Sequence, residues 1–345
     1  MKVMIVDPVQ PRVHRGWGND SVVTAVAQSL RLGGFEVCTV QVGNVSGLRH
    51  QLNEQMPDMA FVNGYRLLEE PGQPFIHRVL DEVGIPYVGS PPETLSFLER
   101  KSMMKSKLAE HDLPTPGYRL FSGDATEAGL AEVIYPAVAK LDYGCESIGL
   151  HKAADAPELK RIISDLWAQY QQPILVENWC REREYTVAVL GNNESRKIMP
   201  VEIVLPFGYE MLTSQVKSTS LRKTVRKIDA EKSEQLTALV EKTCSCLQIQ
   251  DWTRIEVLEW NGRFHIIDIN STVGLKFEEA HPSYFPIWTQ LHLGIDYAET
   301  INALMYECLV RCRLPVPGKL LKILDKYPVD LRTSSSFSDF FPPWV

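Results

Sequence analysis

Arg254, Glu256, Asp268 and Asn270 fall at alternate positions on either side of the dipeptide Asn261-Gly262, among the apolar residues Ile255, Val257, Leu258, Ile266, Ile267 and Ile269. Alternation of this kind predicts two short strands joined at Asn-Gly. Successive side chains of a strand point to opposite faces, so Arg254, Glu256 and Leu258 share one side and Ile255 and Val257 the other. On the second strand Ile266, Asp268 and Asn270 share a side, opposite Ile267 and Ile269. A two-residue turn would set Glu256 and Asp268 on opposite faces, and an odd-length loop would set them together. Trp260-Asn261-Gly262 fits a three-residue loop with Gly262 in the left-handed position of a bulge. On this reading Arg254, Glu256, Asp268 and Asn270 converge, and Ile255, Val257, Ile267 and Ile269 face the core. Two carboxylates and an amide oxygen at one spot suit a Mg²⁺ that bridges the phosphates of ATP. An amphipathic hairpin with a solvated polar side would show the same pattern.

The elements around this hairpin read as an α/β chain. A strand over 3–7, a helix from Asp20 to Leu32 stopped by Gly33-Gly34, strands at 35–40, 59–62 and 86–89 and a helix over 75–82 predict a doubly wound parallel-sheet lobe. Gly16-Trp17-Gly18 lacks the third glycine of a dinucleotide fingerprint and lies too far from the first strand, which opposes a dehydrogenase. A helix from Thr94 to Glu110 carries Lys101, Lys105 and Lys107, with Leu95, Leu98, Met104 and Leu108 at helical spacing. Strands at 137–140, 174–177, 185–190 and 199–205 follow, separated by a helix over 156–170. Residues 207–227 are polar and poorly periodic, the signature of a functional loop, and Asp229 caps a helix to Leu247. Helices are expected over 284–293 and 297–308.

Three further constellations could carry chemistry. Lys140 precedes a small-residue loop, Asp142 to Gly149, whose backbone N–H groups could face polyphosphate; it is not a Walker loop, because Leu150 stands where lysine belongs. Glu177-Asn178-Trp179, with Glu184 seven residues past Glu177, could meet an adenine edge and ribose hydroxyls. Lys217 and Arg222 lie in the polar loop, which could close over a nucleotide. A surface turn, a solvated acidic turn and a solvated loop are the respective bland readings.

A net charge of −7, with no long Lys/Arg block, argues against a nucleic-acid surface, and the longest apolar runs are strand-sized, so no membrane span is expected. Seven scattered cysteines without a CxxC pair read as free thiols in a reducing cytoplasm. The histidines show no zinc spacing, and there is no GxSxG elbow.

In order along the chain, Lys101, Leu113-Pro114-Thr115-Pro116, Lys140 with its glycine loop, Glu177-Asn178-Trp179, Glu184-Tyr185-Thr186-Val187, Arg254-Ile255-Glu256 and Asp268-Ile269-Asn270 resemble the ATP-grasp enzymes, and more narrowly D-alanine–D-alanine ligase. The likeness covers roughly residues 84–310. It implies an ATP-grasp fold behind the N-terminal lobe, with lobes at 1–97, 98–180 and 181–332 and a tail at 333–345. It also implies ATP and Mg²⁺, two ions, as cofactors, small-molecule amino acid and acceptor substrates, a cytoplasmic location and a possible homodimer. Position by position, Lys101 and Lys140 match phosphate-binding lysines, Glu146 and Ser147 stand in the phosphate loop, and Glu177 and Trp179 match the adenine segment, where Asn178 replaces the usual lysine. Glu184 matches the ribose ligand and Lys217 the lysine of the mobile loop. Glu256, Asp268 and Asn270 match the metal ligands, and Arg254 and Gly274 the groups that stabilise the tetrahedral intermediate.

The departures from the family concern the amino-acid pocket. The acidic residues of the hairpin are exchanged, Glu256 before Asp268. The early segment, Pro8 to Asn19, lacks the Ser-x-Glu that holds the first substrate's ammonium. Glu146 replaces a loop serine, Ser218 a tyrosine, and Lys276, Glu278 and their neighbours a Ser/Thr-rich stretch near the acceptor. An ADP-forming carbon–nitrogen ligase with a product other than D-alanyl-D-alanine is the expectation. The branch that joins an amino acid to mycosporine-glycine is one candidate. A dipeptide ligase and a small-molecule kinase are the alternatives.

Overall fold

The computed structural model describes residues 1–9, 20–123, 125–144, 147–180, 182–205, 209–211, 225–226, 228–276 and 283–327. The expectations for Gln10 to Asn19, Glu146, Lys217, Ser218, Arg222, Glu278 and the tail lie outside the described residues.

The first lobe is built on a parallel sheet of order β2-β1-β3, with β1 (Lys2–Pro8) between β2 (Glu36–Val42) and β3 (Met59–Val62). Its central strand reads Val-Met-Ile-Val because both faces are covered. Val3 and Ile5 pack with α1 (Asp20–Leu32), and Met4 and Val6 with α2 (Val45–Gln55) and α3 (Ile76–Val83). Sequence patterning leaves 45–55 unassigned, because only Leu48 and Leu52 of α2 are buried; the helix is started by Asn44, whose side chain accepts from Gly47 N. The strand expected at 86–89 is reduced to a single parallel bridge, Ala60 to Tyr87. Its polar backbone groups are taken elsewhere: Tyr87 O accepts from Arg311 Nη2 at 2.7 Å and Gly89 N donates to Asp251 Oδ2 at 2.7 Å.

The single helix expected over 94–110 is two, α4 (Pro92–Leu98) and α5 (Lys101–Glu110). Arg100 between them is extended and bridges Tyr143. Lys101 N then donates to Asp142 O at 2.9 Å, and Ser102 N to Asp142 Oδ1 at 2.8 Å. A carboxylate from a distant loop thus caps α5, work that a residue before the helix would ordinarily do.

The middle of the chain forms an antiparallel sheet of order β4-β7-β5-β6, from β4 (Tyr118–Phe121), β5 (Ala137–Leu141), β6 (His151–Ala153) and β7 (Ile174–Asn178). It is backed by α6 (Glu127–Ala131) and α7 (Ala156–Tyr170). The second antiparallel sheet has the order β10-β9-β8-β11-β12, from β8 (Arg183–Leu190), β9 (Lys197–Ile203), β10 (Val225–Arg226), β11 (Trp252–Trp260) and β12 (Arg263–Asn270). Strand β10 is the described end of the expected polar loop. On one face Tyr185, Val187, Ile255 and Val257 meet α5 and α8 (Ala230–Cys246), which Asp229 caps through Lys232 N. On the other face Ala188, Leu190 and Trp252 meet α9 (Tyr284–Leu293) and α10 (Tyr297–Arg311), with α11 (Gly318–Ile323) beyond. None of the described helices is long and apolar enough to cross a membrane.

Asp251 clasps the lobes together. Its carboxylate has no solvent exposure and accepts from Gly89 N, from Asn192 Nδ2 at 2.9 Å and from Arg311 Nε and Nη2 at 2.8 and 2.7 Å. Burial opposes the charge on Arg311, yet Asp251 holds the guanidinium above its ordinary pKa. Arg311→Met should leave a buried carboxylate without its counter-charge. A loss of roughly 3–5 kcal/mol, read from the urea midpoint, is expected.

Candidate active site

The hairpin closes with a two-residue turn, because Trp260 pairs directly with Arg263. Asn261 and Gly262 both have positive φ, 50° and 67°, as a type I′ turn requires. The expected three-residue loop is therefore absent, and by parity alone Glu256 and Asp268 would diverge. They nevertheless sit directly opposite each other. The register runs Val257 to Ile266 and then Glu256 to Asp268, so Ile267 is an extra residue in β12. This bulge turns over everything after it. Ile266, not Ile267, joins Ile255, Val257 and Ile269 in the core, and Ile267 instead lines a cleft. The shared face of Arg254, Glu256, Asp268 and Asn270 stands, for a different reason than the turn.

That face forms one wall of a cleft between the two antiparallel sheets. Lys101, at the start of α5, lines it and donates to Gly144 O at 2.8 Å. Lys140, at the end of β5, lines it beside Ser147, Asn178 and Trp179. Glu184 reaches the same cleft from β8, buried opposite Leu258. Arg254 donates to Glu256 Oε1 at 2.8 Å, and its guanidinium lies 5.2 Å from the Tyr284 ring centre. Lys152 Nζ stands 4.2 Å from the centre of the Trp179 ring, bordering an aromatic face. Gly274 and Lys276 are not among the described lining residues; Lys276 N donates to Ser283 Oγ at 2.8 Å instead.

Glu177 also lines the cleft, but its side chain is committed within the protein. Lys105 Nζ is 2.6 Å from Oε1 and Lys140 Nζ 2.8 Å from Oε2. Burial raises the Glu177 pKa, and the two lysines outweigh it and hold the carboxyl below its ordinary value. Burial lowers Lys105 to about 8, against the pull of Glu177. Lys105 is the participant to which sequence reasoning assigns no role, although its spacing from Lys101 puts both on one helix face.

A second cleft of about 1020 Å³ shares Lys101, Gly144, Asp268 and Asn270 with the first and runs to Tyr65, Arg66 and Glu99. Arg66 Nε donates to Glu99 Oε1 at 2.7 Å, and the guanidinium lies 3.9 Å from the Phe75 ring centre. No sequence signal marks this pair. The two clefts meet at the cationic and acidic groups.

The donor set is compatible with Mg²⁺. Among the described residues no cluster of three His, Cys, Asp or Glu forms. A cation between Glu256 and Asp268 would draw on two carboxylates and the Asn270 amide and complete its shell from phosphate and water, the usual pattern for Mg²⁺.

Residues 109–306 match the family model described as D-ala D-ala ligase C-terminus. The D-alanine–D-alanine ligase of Pseudomonas putida is 25% identical over 287 residues, 82% of this chain and 86% of its own. That of Desulforudis audaxviator is 29% identical over 255 residues, 73% and 82% of the two chains. Among solved structures, the D-alanine–D-alanine ligase of Bacillus anthracis complexed with ATP superimposes with a TM-score of 0.69 at 16% identity, covering 91% of this chain and 98% of its own. The Coxiella burnetii ligase gives 0.67 at 16% identity over 91% and 95%.

Glu177→Gln should cost roughly 3–5 kcal/mol at pH 7, because two buried lysines lose their counter-charge. Glu177 has a depressed folded-state pKa, so its contribution is complete above about 4.5 and is lost as pH falls through the folded value. The stability gap between the two proteins, measured by urea unfolding, should therefore narrow below pH ~4.5.

Proposed function

The chain belongs to the D-alanine–D-alanine ligase family of ATP-grasp enzymes, and on that premise we propose that it joins the amine of an amino acid to an acceptor activated by phosphorylation on oxygen, with release of ADP and phosphate. The observation that carries this is the meeting of two clefts at Lys101, Asp268 and Asn270, with Lys140 and Glu256 alongside. One cleft suits a nucleotide, and the other opens on the position its terminal phosphate would take.

Lys101 and Lys140 hold the phosphate oxygens. Trp179 and the backbone of its segment border the adenine, and Glu184 accepts from the ribose hydroxyls. Glu256, Asp268 and Asn270 would hold Mg²⁺, which would supply charge neutralisation for the phosphates. Arg254 stabilises the oxyanion formed as the amine attacks. A donor in that role is worth about 3 kcal/mol, a hundredfold or more in rate.

For the acceptor we propose a compound that brings no free α-ammonium to the phosphorylated end, with mycosporine-glycine, activated at a ring oxygen, as the candidate. Support comes from the changed ammonium clamp at Pro8 to Asn19, Glu146 and Ser218. The names of the relatives favour the second reading, a dipeptide ligase. Phosphate release with amino acids alone and with mycosporine-glycine, followed by product mass, separates them. Turnover that needs both the cyclic acceptor and an amino acid supports the first reading. A product from amino acids alone establishes the second, and ADP formation without any amine indicates a kinase.

Two substitutions test the site. Asp268→Asn should abolish ATP consumption; near-normal turnover would refute the metal assignment. Glu184→Ala should weaken ATP binding in calorimetry roughly 10–100-fold, the equivalent of one hydrogen bond to a charged group, with kcat at saturating ATP little changed.

A further inference from the structure

β12 is the edge strand of its sheet and carries the bulge, so some of its backbone groups face away from the ladder, and buried backbone groups need partners. At Ile266 and Ile267 the partners come from outside the sheet. Ile266 N donates to Pro114 O at 2.8 Å, and Ile266 O accepts from Thr115 Oγ1 at 2.7 Å. Ile267 O accepts from Lys140 Nζ at 3.4 Å. Thr115 Oγ1 accepts in turn from Lys105 Nζ at 2.6 Å, and Pro116 O from the same ammonium at 3.3 Å. Lys105 and Lys140 are joined through the two oxygens of Glu177. The contacts close a ring: Ile266, Thr115, Lys105, Glu177, Lys140, Ile267. It ties α5, the Pro114–Pro116 linker, β7 and β5 to the one irregular point of β12.

Lys105 has no solvent exposure and lines neither cleft, so it does not touch a nucleotide held there. It does donate to Thr115, which holds Ile266 O, and it pairs with Glu177, which in turn holds Lys140, the partner of Ile267 O. Without the extra residue at Ile267, Asp268 would emerge on the face opposite Glu256. We propose that Lys105 is a positioning residue for the metal site: by orienting Thr115 and Glu177 it clamps the β12 bulge and keeps Asp268 beside Glu256. The proposal rests on the reading of Glu256 and Asp268 as cation ligands.

The test is Mn²⁺ binding, followed by loss of the free-ion paramagnetic resonance signal, to the full chain with the non-hydrolysable nucleotide AMP-PNP. Lys105→Met and Thr115→Val should weaken Mn²⁺ binding roughly 10–100-fold, the usual effect of removing a group that orients a metal ligand. AMP-PNP affinity without metal should change little, and Thr115→Ser, which keeps the hydroxyl, should retain the original Mn²⁺ affinity. Folded Lys105→Met or Thr115→Val protein that binds Mn²⁺ like the parent would overturn the proposal. So would a Thr115→Ser variant as weak as Thr115→Val. If Lys105→Met does not fold, Thr115→Val decides. Failure of the unsubstituted chain to bind Mn²⁺ with AMP-PNP would instead overturn the ligase reading itself, before any variant is compared.

Discussion

A single extra residue, Ile267, sets the face on which Asp268 leaves its strand, and the polar groups of the cleft are arranged around that choice. The side-chain period of a strand is two, so one inserted residue reverses every position beyond it. Glu256 and Asp268 then become directly opposed neighbours, roughly 4.5–5.5 Å apart at Cα, close enough for one cation to reach both. β12 is also the edge strand of its sheet, so backbone groups beside the bulge, at Ile266 and Ile267, find their partners outside the ladder. Thr115 and Lys140 take up the two carbonyls.

Charge burial follows from the same arrangement. Two ammonium groups enter the interior at Lys105 and Lys140, and one carboxylate at Glu177 answers both. Such a cluster costs desolvation and is a weak source of net stability, but it is highly directional once every proton and lone pair has a partner. The cluster at Asp251 works in a similar way at larger scale. It joins Gly89 of the first lobe, the loop at Asn192 and Arg311 of α10 around one fully buried carboxylate. The second cleft lies between the first lobe and the hairpin, so its shape depends on this clasp.

The two clefts divide the chemistry. The walls between the antiparallel sheets offer lysines, an aromatic ring and a buried glutamate, which suit a nucleotide. The walls toward the first lobe offer Tyr65, the Arg66–Glu99 pair and the ends of β12, which differ in kind. Family membership accounts for the first set. Under the proposed function the acceptor would meet the second set, where Arg66 is held by Glu99 and by stacking on Phe75.

The sequence alone determined that two strands flank Asn261-Gly262, which carboxylates they carry and the ordered series from Lys101 to Asn270 that marks the family. These are local features: alternation and spacing are written within a few residues. The helix cap at Asp229 is of the same kind. Only the tertiary structure decided how Glu256 and Asp268 come to face each other. The turn by itself points them apart, and the bulge is held by Pro114, Thr115 and Lys140, more than a hundred residues away in the chain. For the same reason the break at Glu99-Arg100 escaped the helical pattern, since its cap is Asp142, and Lys105 carried no visible role, since its partner is Glu177. Periodicity records which face a residue prefers; which distant group will satisfy a carbonyl or a charge is settled only when the sheets and helices meet.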